Sequence, residues 1–234
     1  MPKSKRSKLV ALTKTDKKTR EDKERIGEEI RESVDKYAYT WVFGVDNMRN
    51  TFLKDIRQDW RGSRILFGRT RVMQKALGRT PETAHRDNLE RLTRHMSGDV
   101  GLLMTDESPK VVRDYFASFV KTDFARAGLV APLEFTIPAG IVYSTGGRLA
   151  PEDDVPMAHS LETMLRQLGM PTQLKNGKVM LTTDYTICKK GQTLDGKQTR
   201  LLKQFGVACA DFKIKLVAHF DREASEVTVE EEQE

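Results

Sequence analysis

Two cysteines in 234 residues, Cys188 and Cys209, are too few for a disulfide framework, and neither sits in a C-x-x-C pair. One disulfide between them is possible but unforced, and a reducing compartment is the simpler reading. The four histidines, His85, His95, His159 and His219, show no metal-ligand spacing with one another or with the cysteines, whereas a zinc site needs several close ligands. No apolar run approaches the roughly 18 residues of a membrane span. The N-terminus has no apolar segment after its basic residues, so no secretory signal is expected. The motifs G-x-S-x-G and H-E-x-x-H are missing too. No residue pattern asks for a triad assembled in space. The expectation is a protein with no catalytic residues, no metal and no cofactor, and with no membrane partner.

One near-match needs a decision. Gly191 to Lys197 fits G-x-x-x-x-G-K, but Gln198 stands where Ser or Thr should reach a magnesium ion, and Asp195 puts a negative charge inside the would-be phosphate cradle. The segment reads instead as a turn leading into a helix over Thr199–Phe205, ended by Gly206.

What the chain does have is charge, distributed unevenly. Apolar residues make up 38% and charged residues 32%, polar for a globular protein but enough for a core. Seven acids and one arginine between Asp221 and Glu234 give that segment −6, so the remaining 220 residues carry +12 against an overall net of +6. A body that basic points to a polyanionic partner; the alternative is a merely solvated basic surface. The acidic end is expected to be disordered.

Periodicity organises the rest. Residues 2–8 hold Lys3, Lys5, Arg6 and Lys8 with no acid and nothing to bury, the composition of a basic arm for nucleic acid or a nuclear import signal. Ile26, Ile30, Val34 and Tyr37 form the stripe of a helix docked by its C-terminal end. Residues 39–43 read as a buried strand. Met48, Phe52, Ile56 and Trp60 repeat every four residues as a helix, and residues 64–67 read as a second strand. Val72, Met73, Ala76 and Leu77 mark another helix, a polar helical stretch covers 88–96, and residues 100–104 read as a third strand. Ser108 and Pro109 form an N-cap and N1 pair opening a helix with Val112, Tyr115, Phe116 and Phe119 facing inward.

Composition shifts near residue 122: five of the eight prolines fall between Pro132 and Pro171. Short strands at 133–137 and 179–181 and a helix at 160–168 suggest a separate module there. Phe212, Ile214, Leu216, Ala218 and Phe220 then alternate as a strand that must join the earlier sheet; His219 falls on its outer, surface or edge side. The predicted fold class is α/β, an α+β sandwich. The basic arm takes residues 1–16, one α/β domain takes 17–121 plus 196–221, a small α/β insertion takes 122–195, and the acidic tail takes 222–234.

The candidate site lies at a glycine turn. The strand ending at Phe67 runs into Gly68-Arg69-Thr70-Arg71, and a helix follows with Lys75 one turn on. Glycine lets backbone approach a ligand closely, a helix N-terminus offers unpaired amides and partial positive charge, and arginine's planar fork suits phosphate oxygens. Lys54, Arg57 and Arg61 add an i, i+3, i+7 basic face on the preceding helix, and Arg64 and Arg79 flank the turn. No helix-turn-helix, zinc finger or basic zipper appears. Reading a folded RNA by its backbone would need this mixture of basic loops and helix ends, although charge alone does not separate RNA from DNA.

The chain also resembles a known family. The opening MPKSKRSKLV with Thr15, Asp16, Lys17 and Lys18 resembles the start of the mRNA turnover protein 4 family of large-subunit ribosome assembly factors. The likeness continues in order through Gly78, Ser97-Gly98, residues 101–103, Thr105-Asp106-Glu107, residues 131–133, Ile137-Pro138, residues 140–144, residues 154–157 and residues 202–206. It spans residue 1 to about 220. That family in turn resembles the large ribosomal stalk-base protein of the universal L10 family. There the turn is usually Gly-Lys-Asn-Thr; here Gly68 is followed by Arg69, Thr70 and Arg71, which keeps one cation and adds another. The stalk-base protein's further helices for acidic dimers are missing, and the tail Glu230–Glu234 lacks the apolar residues of a GTPase-recruiting peptide.

The resemblance implies an L10-type RNA-binding domain with an inserted second domain. It implies a 60S biogenesis factor that binds stalk-base pre-rRNA in pre-60S particles, beside the ribosomal protein of the L-eleven family. A release factor would later allow exchange for the mature stalk-base protein. Residence in nucleus and nucleolus follows, with transient cytoplasmic presence. Lys17 and Lys18 join the arm residues as expected rRNA contacts. Despite the family name, nothing in the residues suggests nuclease chemistry. The alternative is a mature ribosomal or translation-associated RNA-binding protein.

Overall fold

The computed structural model describes residues 19–230. In chain order the elements are α1 (Arg20–Lys36), β1 (Tyr39–Asp46), α2 (Asn50–Asp59), β2 (Arg64–Phe67), α3 (Thr70–Leu77), α4 (Leu89–Arg94), β3 (Val100–Thr105), α5 (Pro109–Ser118) and β4 (Lys121–Phe124). There follow β5 (Phe135–Ile137), β6 (Gly140–Ile141), a 3-10 turn at His159–Leu161 with α6 (Glu162–Gln167), β7 (Thr172–Lys175), β8 (Lys178–Leu181), β9 (Tyr185–Cys188), α7 (Gly196–Gln204), β10 (Ala208–Asp221) and β11 (Glu226–Val229). They form two compact units, the first from residues 19–43, 62–107 and 217–230, the second from 44–61 and 108–216.

In the first unit the strand order is β11-β10-β1-β3-β2. Strand β2 pairs antiparallel with β3, Arg64 opposite Met104 and Phe67 opposite Gly101. Gly101 is required by its neighbours: a Cβ there would lie 2.7 Å from the Phe43 ring and 2.8 Å from the Phe67 ring, which meet edge to face. Helix α1 starts on a capping box, with Thr19 accepting from the Asp22 amide and the Asp22 carboxylate accepting from the Thr19 amide. Its buried stripe of Gly27, Ile30, Ser33 and Val34 packs over α3, and Arg31 Nε donates to the Ala76 carbonyl at 3.2 Å. Ile30, Val34, Val42, Met73, Leu77, Leu89, Leu92, Leu102, Met104, Ala218 and Phe220 make the core. Gly78 ends α3 at φ +101°, where a Cβ would fall 2.3 Å from the Ala84 backbone.

Two expectations fail in this unit. His219 is not a surface residue: it is 5% exposed, its ring stacks on Trp41 with centroids 4.2 Å apart, and Nδ1 lies 3.0 Å from the Glu230 carboxylate. The alternation along β10 stops marking exposure here because aromatic side chains of β1 cover the outer face. The acidic end is not disordered as far as residue 230, since β11 pairs antiparallel with β10, Ala218 opposite Val229 and Asp221 opposite Glu226. The Asp221 carboxylate accepts from the amides of Glu223 and Ala224, Asn88 donates to the Ser225 carbonyl, and Val227 packs on the core. Charge count hid a short Val227–Val229 alternation behind a tight turn. Removing residues 222–234 should therefore lower stability by about 1–3 kcal/mol, the scale of the half-buried Val227 together with the strand pairing of β11. Denaturant titration of full-length and shortened chains measures this, and equal midpoints would restore the disordered reading.

In the second unit β4 pairs with the first part of β10, β5 with β9, and β6-β8-β7 form a three-stranded sheet. Phe135, Ile137, Val142, Leu165, Val179, Ile187, Leu201, Leu202 and Phe205 build the core. Met48 lies outside α2 and is exposed, a correction to the four-residue stripe; the helix begins at Asn50 and buries Leu53 and Ile56. Trp60 stacks on Phe116 at 5.6 Å. The Tyr115 hydroxyl donates to Asp59 at 2.7 Å, and burial followed by that bond pushes its pKa up. Ser108 stands at the N-cap of α5 with Pro109 at N1, although its side chain makes no capping bond.

Candidate nucleic-acid interface

The glycine turn takes the predicted form. Strand β2 ends at Phe67, Gly68 and Arg69 are exposed, and α3 begins at Thr70. Arg69 holds the N-cap position in extended conformation with no side-chain cap, and the first turn of α3 contains no acid. The Val72 and Met73 amides donate to the Arg69 carbonyl, which leaves the Thr70 and Arg71 amides for an outside anion, with the helix dipole adding partial positive charge. Thr70 fixes the turn, its hydroxyl donating to the Gly98 carbonyl at 2.9 Å. Gly68 has no left-handed φ, and a Cβ there would meet only Met73, with Cγ nearest at 3.4 Å. The fold does not demand glycine at this position.

Arg71 and Lys75 of α3 line a groove shared with α1. The groove encloses about 470 Å³; Gly27, Val72 and Ala76 supply apolar lining, Arg20, Lys23, Arg31, Arg71 and Lys75 supply cations, and Glu24 and Glu28 are the acids. Arg20 Nε bonds Glu24 at 2.8 Å, which raises the arginine's pKa and lowers the glutamate's; Lys75 lowers the latter further. Arg20 and Glu24 thereby offset one another, which leaves Lys23, Arg31, Arg71 and Lys75 against Glu28. Arg20, Lys23 and Arg31 escape a sequence reading that follows only the apolar stripe Ile26, Ile30, Val34 and Tyr37 of this helix. The signal was available: Arg20, Lys23, Gly27 and Arg31 recur at three- and four-residue spacing and so share one helical face.

The other candidates divide. Arg64 ion-pairs with Glu29 of α1, and Arg79 donates to Gln74 at 2.9 Å, so both are partly engaged within the first unit. Lys54, Arg57 and Arg61 are exposed but belong to the second unit, not to the unit carrying the glycine turn. Lys3, Lys5, Arg6, Lys8, Lys17 and Lys18 lie outside the described residues.

The failed phosphate loop has a structural explanation. The Asp195 carboxylate accepts from the amides of Lys197 and Gln198 at 2.8 and 2.7 Å, and Gln198 Oε1 accepts from the Asp195 amide at 2.9 Å. The two residues that break the motif are the capping box of α7, which therefore starts at Gly196, earlier than expected. Cys188 and Cys209 are free thiols whose pKa values burial pushes up. Among the described residues no His, Cys, Asp or Glu group could hold a metal ion, and no helix is long and apolar enough to cross a membrane.

A mixed α/β unit interrupted by a second unit, with a basic turn at the head of a short helix, corresponds to a known ribosomal class. Residues 18–121 match the family model described as ribosomal protein L10, and residues 125–207 match the model of the insertion domain found in the 60S ribosomal protein of that family. Within that class the curated relatives are narrower. The ribosome assembly factor mrt4 of Schizosaccharomyces pombe is 52% identical over 97% of this chain and 94% of its own length. That of Saccharomyces cerevisiae is 49% identical over 97% of both, and that of Dictyostelium discoideum 36% identical over the full length of both. The chain belongs to this mrt4 family of ribosome assembly factors, a branch of the L10 family and not a family of enzymes.

Proposed function

We propose that the protein is a 60S biogenesis factor that occupies stalk-base rRNA in pre-60S particles as a placeholder, until a release factor permits exchange for the mature stalk-base protein. Its neighbour there is the ribosomal protein of the L-eleven family, and it works in nucleus and nucleolus with a brief cytoplasmic stage. The acid-free turn at Gly68–Arg71, opening on the cationic groove between α1 and α3, carries the reading. Phosphate oxygens approach the amides of α3 past Gly68, Arg69 and Arg71 close on them, and Lys75 with Lys23 and Arg31 extends the track. Lys54, Arg57, Arg61, Arg64, Arg79 and the basic arm add further phosphate contacts. Such contacts position a protein on folded RNA without reading sequence.

Gradient sedimentation combined with crosslink footprinting tests the proposal. The protein should co-migrate with pre-60S particles, be missing from polysomes, and protect the stalk-base segment of large-subunit RNA. Steady presence in polysomes would instead support a mature ribosomal or translation-associated role.

A further inference from the structure

Helix α7 and the turn before it hold a second one-sided charge distribution, on the second unit. Between Tyr185 and Gly206 stand Lys189, Lys190, Lys197, Arg200 and Lys203 against a single acid, Asp195. The Asp195 carboxylate is turned onto the α7 amides as a cap and forms no ion pair with any of these cations. Thr199, Leu201 and Leu202 form the buried side of the helix, while Lys197, Arg200 and Lys203 are exposed. Three cations at three-residue spacing extend over about 9 Å of helix at 1.5 Å per residue, long enough to meet more than one phosphate of a strand.

The turn brings the other two cations to the same place. Gln198 Nε2 donates to the Ile187 carbonyl at 2.7 Å, which ties the first turn of α7 to the end of β9. Lys189 follows two residues later. It is held in a tight turn, its amide donating to Gln192 Oε1 at 3.2 Å and its carbonyl accepting from the Gln192 amide at 3.1 Å. Among the described residues Lys189, Lys190, Lys197 and Arg200 form no ion pair, and Lys203 only passes 5.8 Å over the Phe124 ring. Lys203 also suits the last turn of α7, but the fold gains nothing from gathering the other four exposed cations, since neighbouring like charges repel.

We propose that this face is a second phosphodiester-binding surface, through which the second unit grips large-subunit RNA independently of the glycine turn. An acidic protein is the weaker partner, because protein interfaces centre on buried apolar or aromatic anchors. No large hydrophobic side chain is exposed between residues 185 and 206, whereas Val130, Leu149, Val155 and Leu174 are exposed elsewhere in the unit. A phosphate backbone needs only cations and polar donors, and Gln204 adds to the latter. The inference rests on the reading that the chain binds rRNA, but it uses none of the residues of the first site.

The test uses the full chain on a large-subunit RNA fragment that includes the stalk base and its flanking helices. Lys197→Gln, Arg200→Gln and Lys203→Gln are combined, since glutamine keeps helix propensity. Lys189→Gln with Lys190→Gln forms a second variant outside the helix, in case the first fails to fold. Each should weaken binding at least several-fold, and the triple variant should reduce the salt-dependence slope by roughly two to three units. Gly68→Glu is measured alongside. Wild-type affinity and slope in both α7-face variants, with loss in Gly68→Glu, would overturn this surface and leave the glycine turn standing. Loss in the α7-face variants but not in Gly68→Glu would support the surface and overturn the turn. Unchanged RNA binding with loss of an acidic protein from purified particles would overturn the RNA assignment of α7.

Discussion

Gly68→Glu is expected to lower RNA affinity on the order of a hundredfold while leaving the fold unchanged. The reason lies in what surrounds the glycine. It has no left-handed φ, and a Cβ would meet only the Met73 side chain, no closer than 3.4 Å, so the folded chain can accept one. The ligand cannot accept it as easily. A glutamate at this position stands at the head of α3, where uncapped amides, Arg69 and Arg71 face the approaching phosphate. Like charges placed in contact cost several kcal/mol, and about 1.4 kcal/mol is a factor of ten. The added carboxylate also ion-pairs with the arginines that should hold RNA. Arg69→Ala and Arg71→Ala should each weaken binding less and lower the salt slope by about one unit. Arg71→Ala should be the more damaging, because Arg71 also lines the groove. Wild-type affinity and slope in a folded Gly68→Glu protein would remove the turn from the interface.

The turn was legible because every part of it has a local cause. A four-residue β-run, a glycine, a cation-rich first turn and an amphipathic repeat can be read without tertiary knowledge, and β2 and α3 lie where those signals put them. Pro109 likewise opened α5 as its fixed φ requires. What escaped notice depends on long-range neighbours. His219 alternates like an outward residue, and only the Trp41 ring from a distant strand explains its burial. Strand β11 is four residues long in an acid-rich setting, and its partner lies across a turn that its own composition conceals. The α1 wall of the groove was visible as a stripe of Arg20, Lys23 and Arg31, but no sequence signal says that this stripe faces α3. Asp195 and Gln198 carried a helix-start signature that was overshadowed by their place in a broken phosphate-loop pattern.

The second large effect is all-or-none. The chain and the mature stalk-base protein are expected to exclude one another from the same RNA. Residues 18–121 match the ribosomal protein L10 family model, so two relatives would present the same kind of turn and helix end to one set of phosphates. A phosphate already neutralised has released its counterions, and a second protein gains nothing there. Exchange must then follow mass action or a release factor that weakens the first contact. Weakened variants such as Gly68→Glu should leave pre-60S particles early and allow the mature protein to load without that factor.

Competition on a stalk-base RNA fragment carrying its L-eleven-family protein tests the placeholder claim most directly. Each protein, titrated against a preformed complex of the other, should displace it, and only complexes holding the mature protein should then capture acidic stalk dimers. A stable assembly with both proteins on one RNA, or dimer capture by this chain, would contradict the account even if the chain bound the RNA tightly.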